Sequence, residues 1–416
     1  MHKSVQLPEP EQELKDKSDA LVALLKERIT ANGPISFADY MRTALYEPGH
    51  GYYVAGQTIF GPAGDFQTAP MLGSVFGECL AEQCLEVWRA LSQSAAQGTI
   101  ASGVFEFGAG RGDLAAVLYS TLRQRCIEEK LPIPDYHILE PSAALRECQQ
   151  TRLQEFDQGV HWHTQMPESF TGIVIANEVL DAMPVERFRY KAADSSESKS
   201  QTSASRFQQQ FVDLDDNGDL CSTFVDCNKT FEHMLHTACG DLLDAWPDGY
   251  TFEWNTHASG WLSALGNCLT HGAVLLFDYG YPRKEFLLPE RSDGTLMCYY
   301  RHRAHDDAFF YPGLQDITSH VDFTSIAEAS LQADLELNGY CSQGSFLQVF
   351  LDDISAAGLV DRADDEQELQ RLKRAQEIKT LTLPGSMGER FQVMGFSRGL
   401  DFALRGFSLE DLSYRL

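Results

Sequence analysis

The chain has 416 residues, of which 43% are hydrophobic, so it is long enough to bury the core of one large domain or two ordinary ones. Its formal charge of −27, from 33 basic and 60 acidic residues, repels phosphate backbones and argues against nucleic acid as a partner. A basic protein or a small molecule fits that charge better, and the alternative is that the charge serves only solubility.

The N-terminal stretch "MHKSVQLPEPEQELKDK" mixes both charges and contains no apolar segment of a secretory signal. No apolar run elsewhere approaches the roughly 18 residues of a membrane span. Ten cysteines are scattered without a CxxC pair, which indicates buried thiols in a reducing compartment and argues against a zinc site. We therefore expect a cytoplasmic protein with no membrane span and no bound metal.

Helices are predicted for the N-terminal region, residues 1–75. Leucine and isoleucine recur at helical spacing over 17–31, and "NG" follows as a C-terminal cap. Ser36 and Asp39 resemble a capping box that opens a second helix. The stretch "EPGHGYYVAGQTIFGPAGDFQTAP" is rich in glycine and aromatic residues and is typical of an ordered loop. A further helix is predicted from residue 70 to about residue 90.

A core region is predicted for residues 76–285. The stretches "GVFEFGAGRGDLAAVLYSTLRQRC", "YHILEPSAALRECQQTRL" and "GIVIANEVLDAMP" each predict a strand, a turn and a helix. This alternation predicts an α/β fold with a mostly parallel sheet covered by helices on both faces. Residues 191–206 hold six serines and are predicted as a mobile insert before a hairpin at 207–225. Residues 286–416 are predicted to be additions that fold back over the sheet.

A glycine turn follows the first core strand. Gly108, Gly110 and Gly112 stand between strand and helix, where a ligand can approach the backbone closely. The pattern is G-x-G-x-G rather than the G-x-G-x-x-G of dinucleotide-binding turns. Glu106 before the turn suits a cationic ligand, and Glu140 at the next strand end can accept both hydroxyls of a ribose. Together they predict a site for S-adenosylmethionine, the alternative being an ordinary turn and a surface acid.

Several motifs occur in an order that resembles the MidA family of class I S-adenosylmethionine-dependent methyltransferases. They are "GPISFADYMRTALYEPGHGYYV", "GPAGDFQTAP", "FEFGAGRGDL", "NEVLDAMPV", "LFDYG", "DITSHVDF" and "LPGSMGERFQV". The resemblance covers roughly residues 30–396 and implies a seven-strand methyltransferase sheet with family-specific segments before and after it. Mitochondrial members of that family are complex I assembly factors that methylate an arginine, so the resemblance also implies protein arginine methylation.

The third strand ends in "ANEVLDAMP", at the edge of the sheet where ligands bind in open α/β folds. Asn177 and Glu178 are therefore expected to face the methyl donor and the acceptor. Carboxylates can hold a guanidinium in a bidentate geometry and leave one nitrogen aimed at the methyl group. We hypothesise that Glu178 orients the acceptor with help from Asp181, three residues away on the same helical face. The alternative for Asp181 is a cap or a loop anchor before Pro184.

The loop "GPAGDFQTAP" offers Gly64 and Asp65, which are predicted to close over the cofactor, the alternative being a structural glycine turn. The predicted partner is a protein substrate, for which the negative charge favours a basic one, and a homodimer is a further expectation. Two other functions remain open from the residues alone: a non-catalytic assembly chaperone and a nicotinamide-dependent oxidoreductase.

Overall fold

The computed structural model of the chain describes residues 7–54, 68–95, 102–156, 158–192, 205–356 and 365–416. Most of the predicted serine-rich insert, together with Gly64 and Asp65, lies outside these ranges. Among the described residues, no helix combines the length and the apolar character that a membrane span requires.

The described residues form fourteen α-helices and four short 3₁₀ helices. The α-helices are α1 (Gln12–Asn32), α2 (Phe37–Tyr46), α3 (Ala69–Leu72), α4 (Val75–Ala95), α5 (Asp113–Glu129), α6 (Ala143–Arg152), α7 (Lys229–Cys239), α8 (Thr256–Cys268), α9 (Arg283–Phe286), α10 (Phe323–Gln332), α11 (Gln343–Gln348), α12 (Leu351–Ala356), α13 (Asp365–Thr382) and α14 (Met387–Arg390). The 3₁₀ helices are Gln154–Phe156, Gly240–Ala245, Arg405–Phe407 and Ser413–Arg415.

Sixteen strands accompany these helices in the same described ranges. They are β1 (Ile35–Ser36), β2 (Gly103–Phe107), β3 (Asp135–Leu139), β4 (Val160–His163), β5 (Phe170–Asn177), β6 (Glu186–Tyr190), β7 (Phe207–Leu214), β8 (Leu220–Asp226), β9 (Thr251–Trp254), β10 (Leu269–Tyr281), β11 (Met297–Tyr300), β12 (Arg303–His305), β13 (Asp316–Thr318), β14 (Val321–Asp322), β15 (Glu336–Ser342) and β16 (Phe391–Arg398).

The largest sheet confirms the predicted α/β class. Seven strands form a continuous path in the order β15-β16-β10-β5-β2-β3-β4, and the two-residue β14 pairs with β10 beside that path. Strands β4, β3, β2, β5 and β10 are parallel neighbours. Strand β16 runs antiparallel to both β10 and β15. The carboxyl ends of the parallel strands therefore meet at one edge of the sheet.

Three glycines stand side by side across the parallel strands. Gly103, Gly172 and Gly272 are paired in register on β2, β5 and β10, with φ angles of 127°, 154° and 135°. A Cβ on Gly172 would lie 1.9 Å from the carbonyl oxygen of Gly103, and one on Gly272 would lie 1.8 Å from that of Gly172. Only glycine allows the three strands to approach this closely at their amino ends.

Helices cover both faces of the sheet, as the alternating pattern predicts. Helices α4 and α5 pack on one face, where Phe76 and Leu118 are fully buried. Helices α8 and α10 pack on the other face, where Leu262 and Ile326 are buried. Burial of each such side chain stabilises the fold by about 1.5–3 kcal/mol, so these two layers fix the sheet and its carboxyl edge.

The N-terminal helices share a separate core with a three-stranded sheet of order β12-β11-β13. Leu25 of α1 and Tyr40 of α2 are fully buried there with Ile317 of β13. Ser36 caps α2 by accepting a hydrogen bond from the backbone N–H of Asp39, at 3.1 Å, which confirms the predicted cap. Residues that are almost 300 positions apart in the sequence thus form one packed unit.

A five-stranded sheet carries the order β1-β7-β6-β9, with β8 paired to β7. Strands β7 and β8 are antiparallel, which confirms the predicted hairpin. The division of the chain at residues 75 and 285 remains a prediction.

The predicted single helix from residue 70 is wrong, because the structure divides it into α3 and α4. Gly73 stands between them, and a Cβ there would lie 2.1 Å from the Glu377 carboxylate. Glu377 of α13 accepts a hydrogen bond from the backbone N–H of Val75, at 2.7 Å. A carboxylate distant in sequence therefore accepts a hydrogen bond from a free backbone N–H in the first turn of α4, which stabilises the start of the helix after the bend at Gly73.

Candidate active site

A cavity of about 1070 Å³ opens at the carboxyl edge of the large sheet. It is lined by seven of the residues predicted for the site: Glu106, Gly108, Gly110, Glu140, Asn177, Glu178 and Asp181. Its volume reaches the upper end of the ~300–1,000 Å³ usual for small-molecule sites, so it has room for a cofactor and an acceptor side chain together. Val54 and Thr68 also line it.

The glycine turn connects β2 to α5 in left-handed backbone conformations. Gly108, Gly110 and Gly112 have φ angles of 66°, 54° and 83°. A Cβ on Gly108 would lie 2.8 Å from Cγ2 of Val179, so a side chain there would collide with the loop after β5. Gly112 is the N-cap of α5, and Asp113 in the next position pairs with Arg152 of α6 at 2.7 Å. Asp113 therefore ties two helices together where a dinucleotide-binding turn would have glycine.

Glu106 is buried on β2 and also lines the cavity. Its carboxylate accepts a hydrogen bond of 2.7 Å from the hydroxyl of Tyr136 on the neighbouring strand. Burial raises the pKa of Glu106 to about 7, and the Tyr136 hydrogen bond opposes that rise. A cationic group entering the cavity would favour the ionised form.

Glu140 lies at the end of β3, where hydrogen bonds hold it in place. One carboxylate oxygen accepts from the backbone N–H of Ser142 at 2.8 Å, and the other accepts from the Gln149 side chain at 3.0 Å. The same Gln149 nitrogen donates to the carbonyl of Gly110 at 2.8 Å, which links Glu140 to the glycine turn. Gln149 could not be predicted for the site, because its position on α6 carries no motif.

Asn177 and Glu178 end β5 at the cavity. Glu178 has a left-handed φ of 53°, which is uncommon for a residue with a side chain, and its N–H donates to the carbonyl of Phe277 at 2.8 Å. The Asn177 amide nitrogen donates to the Glu178 carboxylate at 3.2 Å. Burial first, and then the charge of Asp181, raise the pKa of Glu178 to about 8. The buried Oδ1 of Asn177 has no hydrogen-bond partner among the described residues.

The segment after Glu178 is a turn, so the prediction that Glu178 and Asp181 share one helical face is wrong. Asp278 of β10 accepts hydrogen bonds from the backbone N–H groups of Leu180 and Asp181, at 2.9 and 3.2 Å. The backbone carbonyl of Asp181 accepts from the N–H of Ser319 at 3.0 Å. These bonds replace those that a helix would make, yet the turn still brings Asp181 to the cavity beside Glu178.

The Asp181 carboxylate accepts a hydrogen bond from the Tyr279 hydroxyl, while its Oδ1 is buried with no partner in the described part of the chain. Burial raises the pKa of Asp181 to about 6, and the Tyr279 hydrogen bond opposes that rise. In the motif "LFDYG", Tyr279 lines the cavity, Asp278 anchors the turn behind it, and Gly280 pairs with Val321.

The remaining wall of the cavity comes from segments that the sequence analysis did not assign to the site. Tyr46 and Tyr53 stack with ring centroids 5.5 Å apart, and Tyr299 and Asp316 line the same cavity. The Tyr46 hydroxyl donates to the carbonyl of Ala182 at 2.9 Å, so the wall is attached to the turn that carries Asp181. The motif "DITSHVDF" pointed to this region only because it is one of the motifs that resemble the MidA family.

The residues present fit S-adenosylmethionine. The unpartnered Asn177 Oδ1 can accept from the amino group of its methionine end, and the absence of a Cβ at Gly108 leaves room beside Val179. The Glu140 carboxylate, held at the strand end, can accept from ribose hydroxyls.

Comparisons with known proteins agree with this fit. The family described as "Putative S-adenosyl-L-methionine-dependent methyltransferase" matches residues 79–341. A COG1565 superfamily protein from Burkholderia thailandensis, solved with bound S-adenosyl-homocysteine, is 34% identical, covers 99% of this chain and 100% of its own, and superposes with a TM-score of 0.86. The mitochondrial protein arginine methyltransferases NDUFAF7 of Rattus norvegicus and Homo sapiens are 27% and 26% identical, over 88% of this chain and 82% and 81% of theirs.

The family match spans more than half of the chain, and the likeness to the Burkholderia thailandensis protein spans nearly all of it. Both favour methyl transfer over the hydride transfer that a nicotinamide cofactor would support. The chain therefore belongs to this family of S-adenosyl-L-methionine-dependent methyltransferases, to which the motifs of the MidA family also assign it.

Proposed function

We propose that this methyltransferase transfers the methyl group to an arginine side chain of a protein. The observation that carries the proposal is the pair of carboxylates Glu178 and Asp181 on one cavity wall. Burial raises the pKa of both, and no positive group of the described residues is among the causes that oppose that rise. The NDUFAF7 relatives, which are named as protein arginine methyltransferases, support the same acceptor.

Three groups are proposed to hold the cofactor. Glu140 accepts from the ribose hydroxyls, and Asn177 accepts from the amino group through its unpartnered Oδ1. Glu106 supplies negative charge to the cationic end of the ligand, and Gly108 and Gly110 let it approach the backbone, while Gly112, which is not among the lining residues, shapes the turn that carries them. Gly64 and Asp65, outside the described residues, are proposed to contact it as well; the affinity of Asp65→Ala for S-adenosylhomocysteine tests this.

The carboxylates Glu178 and Asp181 are proposed to orient a guanidinium and to take up the proton that it loses during methyl transfer. When bound, the cofactor supplies an electrophilic methyl carbon on a sulfonium. The acceptor nitrogen forms a bond to that carbon, the carbon–sulfur bond breaks with its electron pair left on sulfur, and the nitrogen loses one proton. Glu178 and Asp181 bind the planar fork, align its nitrogen and can take up that proton, while the tyrosine wall excludes water.

The test is methyl transfer to arginine-containing and lysine-containing peptides of equal charge, followed by mass spectrometry of the product. We expect methylarginine from the wild-type protein and at least a 100-fold loss of kcat/KM in Glu178→Gln with S-adenosylhomocysteine binding retained. A product on lysine, or full activity of Glu178→Gln, refutes the proposed acceptor chemistry. Cofactor binding without transfer to any protein would favour the assembly-chaperone alternative.

The proposal has further parts that concern partners and location. A basic substrate is proposed from the charge of −27, and a 10-fold rise in KM between low and high salt would support it. A homodimer is proposed, which light scattering tests. A cytoplasmic location is proposed because ten scattered cysteines without a CxxC pair fit a reducing compartment, whereas the NDUFAF7 relatives are named as mitochondrial; cell fractionation decides between them.

A further inference from the structure

Asp316 is a buried carboxylate that reaches the cavity from outside the large sheet. It begins β13, its exposed fraction is 2%, and it lines the same cavity as Glu178 and Asp181. Its Oδ1 accepts hydrogen bonds from the Tyr53 hydroxyl at 2.9 Å and from the N–H of Ile317 at 3.0 Å. Two donors from different parts of the chain therefore fix the position of this carboxylate.

Asp316 lies close to the proposed acceptor-binding pair. Its negative charge adds to the effects of burial and Asp181 that raise the pKa of Glu178. Beyond burial, Asp316 and Asp181 both raise the pKa values of Tyr46, Tyr53 and Tyr299, so the two carboxylates share one set of aromatic neighbours. Tyr299 and Asp316 are cross-strand neighbours on β11 and β13. The carboxylates and tyrosines thus surround one space.

Burying several carboxylates together costs free energy unless a cation joins them. A guanidinium carries five N–H donors in a plane, and one carboxylate can accept only two of them side by side. An ammonium carries three donors and needs no second carboxylate in that plane. Tyrosine faces also attract a flat cation. Glu178 and Asp181 can accept at most four of the five guanidinium donors in this way, so a further fixed carboxylate at the cavity favours arginine over lysine.

We propose that Asp316 is a third carboxylate of the acceptor subsite, that it binds the arginine guanidinium together with Glu178 and Asp181, and that the Tyr53 hydroxyl positions it. This assignment rests on the proposed function. It makes Asp316 a specificity-determining residue and Tyr53 a positioning residue. It also gives the N-terminal segment and the three-stranded sheet a direct part in recognising the substrate.

The experiment uses the full-length protein and the variants Asp316→Asn, Tyr53→Phe and the double variant. Asp306→Asn is the matched control, because it removes the same charge from an exposed position in the same part of the chain. Steady-state kinetics with an arginine peptide give KM and kcat, and calorimetry gives the affinity for S-adenosylhomocysteine. Thermal denaturation shows that each variant is folded.

We expect Asp316→Asn to raise the KM for the arginine peptide 10- to 100-fold, with less than a threefold change in kcat and in S-adenosylhomocysteine affinity. Tyr53→Phe should raise KM three- to tenfold. In the double variant the loss of the Tyr53 hydroxyl should raise KM almost no further than Asp316→Asn alone, because the Asp316 carboxylate that this hydroxyl contacts is already replaced. A merely structural role for Tyr53 would instead give additive losses and a lower cofactor affinity. Asp306→Asn should match the wild type.

An unchanged KM in folded Asp316→Asn refutes the assignment while the proposed function stands, provided that the wild type methylates arginine. An equal loss of cofactor and peptide binding also refutes it, because it would show a general collapse of the cavity. If Asp316→Asn fails to fold, Tyr53→Phe decides by itself, and an unchanged KM in that variant overturns the proposal. If the wild-type protein methylates lysine only, the proposed function fails first and the guanidinium subsite falls with it.

Discussion

Replacing Glu178 with glutamine should stabilise the protein while it abolishes acceptor binding. The pKa of Glu178 is raised from its ordinary value of 4.5 to about 8, mainly by burial. The folded protein therefore binds more protons than the unfolded chain between these pH values, and its stability falls as the pH rises through that window. Glutamine has no charge to bury, so the variant escapes this loss.

The magnitude follows from the same two pKa values. The difference between 4.5 and about 8 corresponds to roughly 5 kcal/mol at about 1.36 kcal/mol per pKa unit. Because Glu178 is only half-buried and faces an open cavity, screening reduces this, and we expect about 2 kcal/mol at pH 8. At the average unfolding entropy per residue, that raises the Tm of a chain of this size by about 2 °C.

The assay is differential scanning calorimetry of the cofactor-free protein at several pH values. The Tm difference between Glu178→Gln and the wild type should be near zero at pH 5 and reach about 2 °C at pH 8. Glu389→Gln, the same change at an exposed position on the cavity rim, should show no such trend. A variant that is less stable at every pH, or a difference that ignores pH, would refute the reasoning.

Three further predictions concern the cavity. Because the pKa values of Glu178 and Asp181 are raised to about 8 and about 6, acceptor KM should fall roughly tenfold as pH rises from 6 to 8.5, and an unchanged KM over that range would count against carboxylate binding of a cation. Gly108→Ala should weaken S-adenosylhomocysteine binding about tenfold, because the added Cβ would collide with Val179. Gly112→Ala should leave that binding unchanged and lower the free energy of unfolding by only about 1 kcal/mol, because no neighbour lies closer than 3.6 Å to the added Cβ. Equal effects of the two variants in calorimetry would contradict this. Glu140→Gln should lower cofactor affinity at least tenfold and leave peptide KM unchanged at saturating cofactor, and normal affinity would remove Glu140 from the ribose.

The residues proposed to hold the cofactor could be placed together from the sequence because their positions are local. Glu106, the glycine turn and Glu140 occupy two adjacent strand ends, where apolar runs change abruptly to glycine or a carboxylate. The pattern of apolar residues along the sequence predicts where the strands lie. Parallel strands bring their carboxyl ends to one edge of the sheet. Prediction failed where a distant residue decides a local structure, as Glu377 does at the break before α4.

The residues proposed to bind the acceptor could not be placed together in the same way. Asp181 was expected on a helix, but Asp278, about a hundred residues later, captures the backbone N–H groups that a helix would use. Tyr53 and Asp316 lie 263 positions apart and meet only because α2 and β13 share a core. No periodicity in either segment signals such a contact, so it becomes visible only in three dimensions.

The residues that line the cavity are synthesised at different times. A ribosome adds roughly 5–20 residues per second, and N-terminal parts fold first. Strands β2, β3 and β5 and their glycine turn are complete once residue 177 has emerged, whereas Asp316 follows much later and β16, which joins β10 to β15, ends only at Arg398. For this interval the nascent chain carries the strand ends proposed to hold the methyl donor without Asp316, which is proposed to select the acceptor. Under the proposed role of Asp316, substrate discrimination arises later in synthesis than the strand ends proposed to bind the methyl donor.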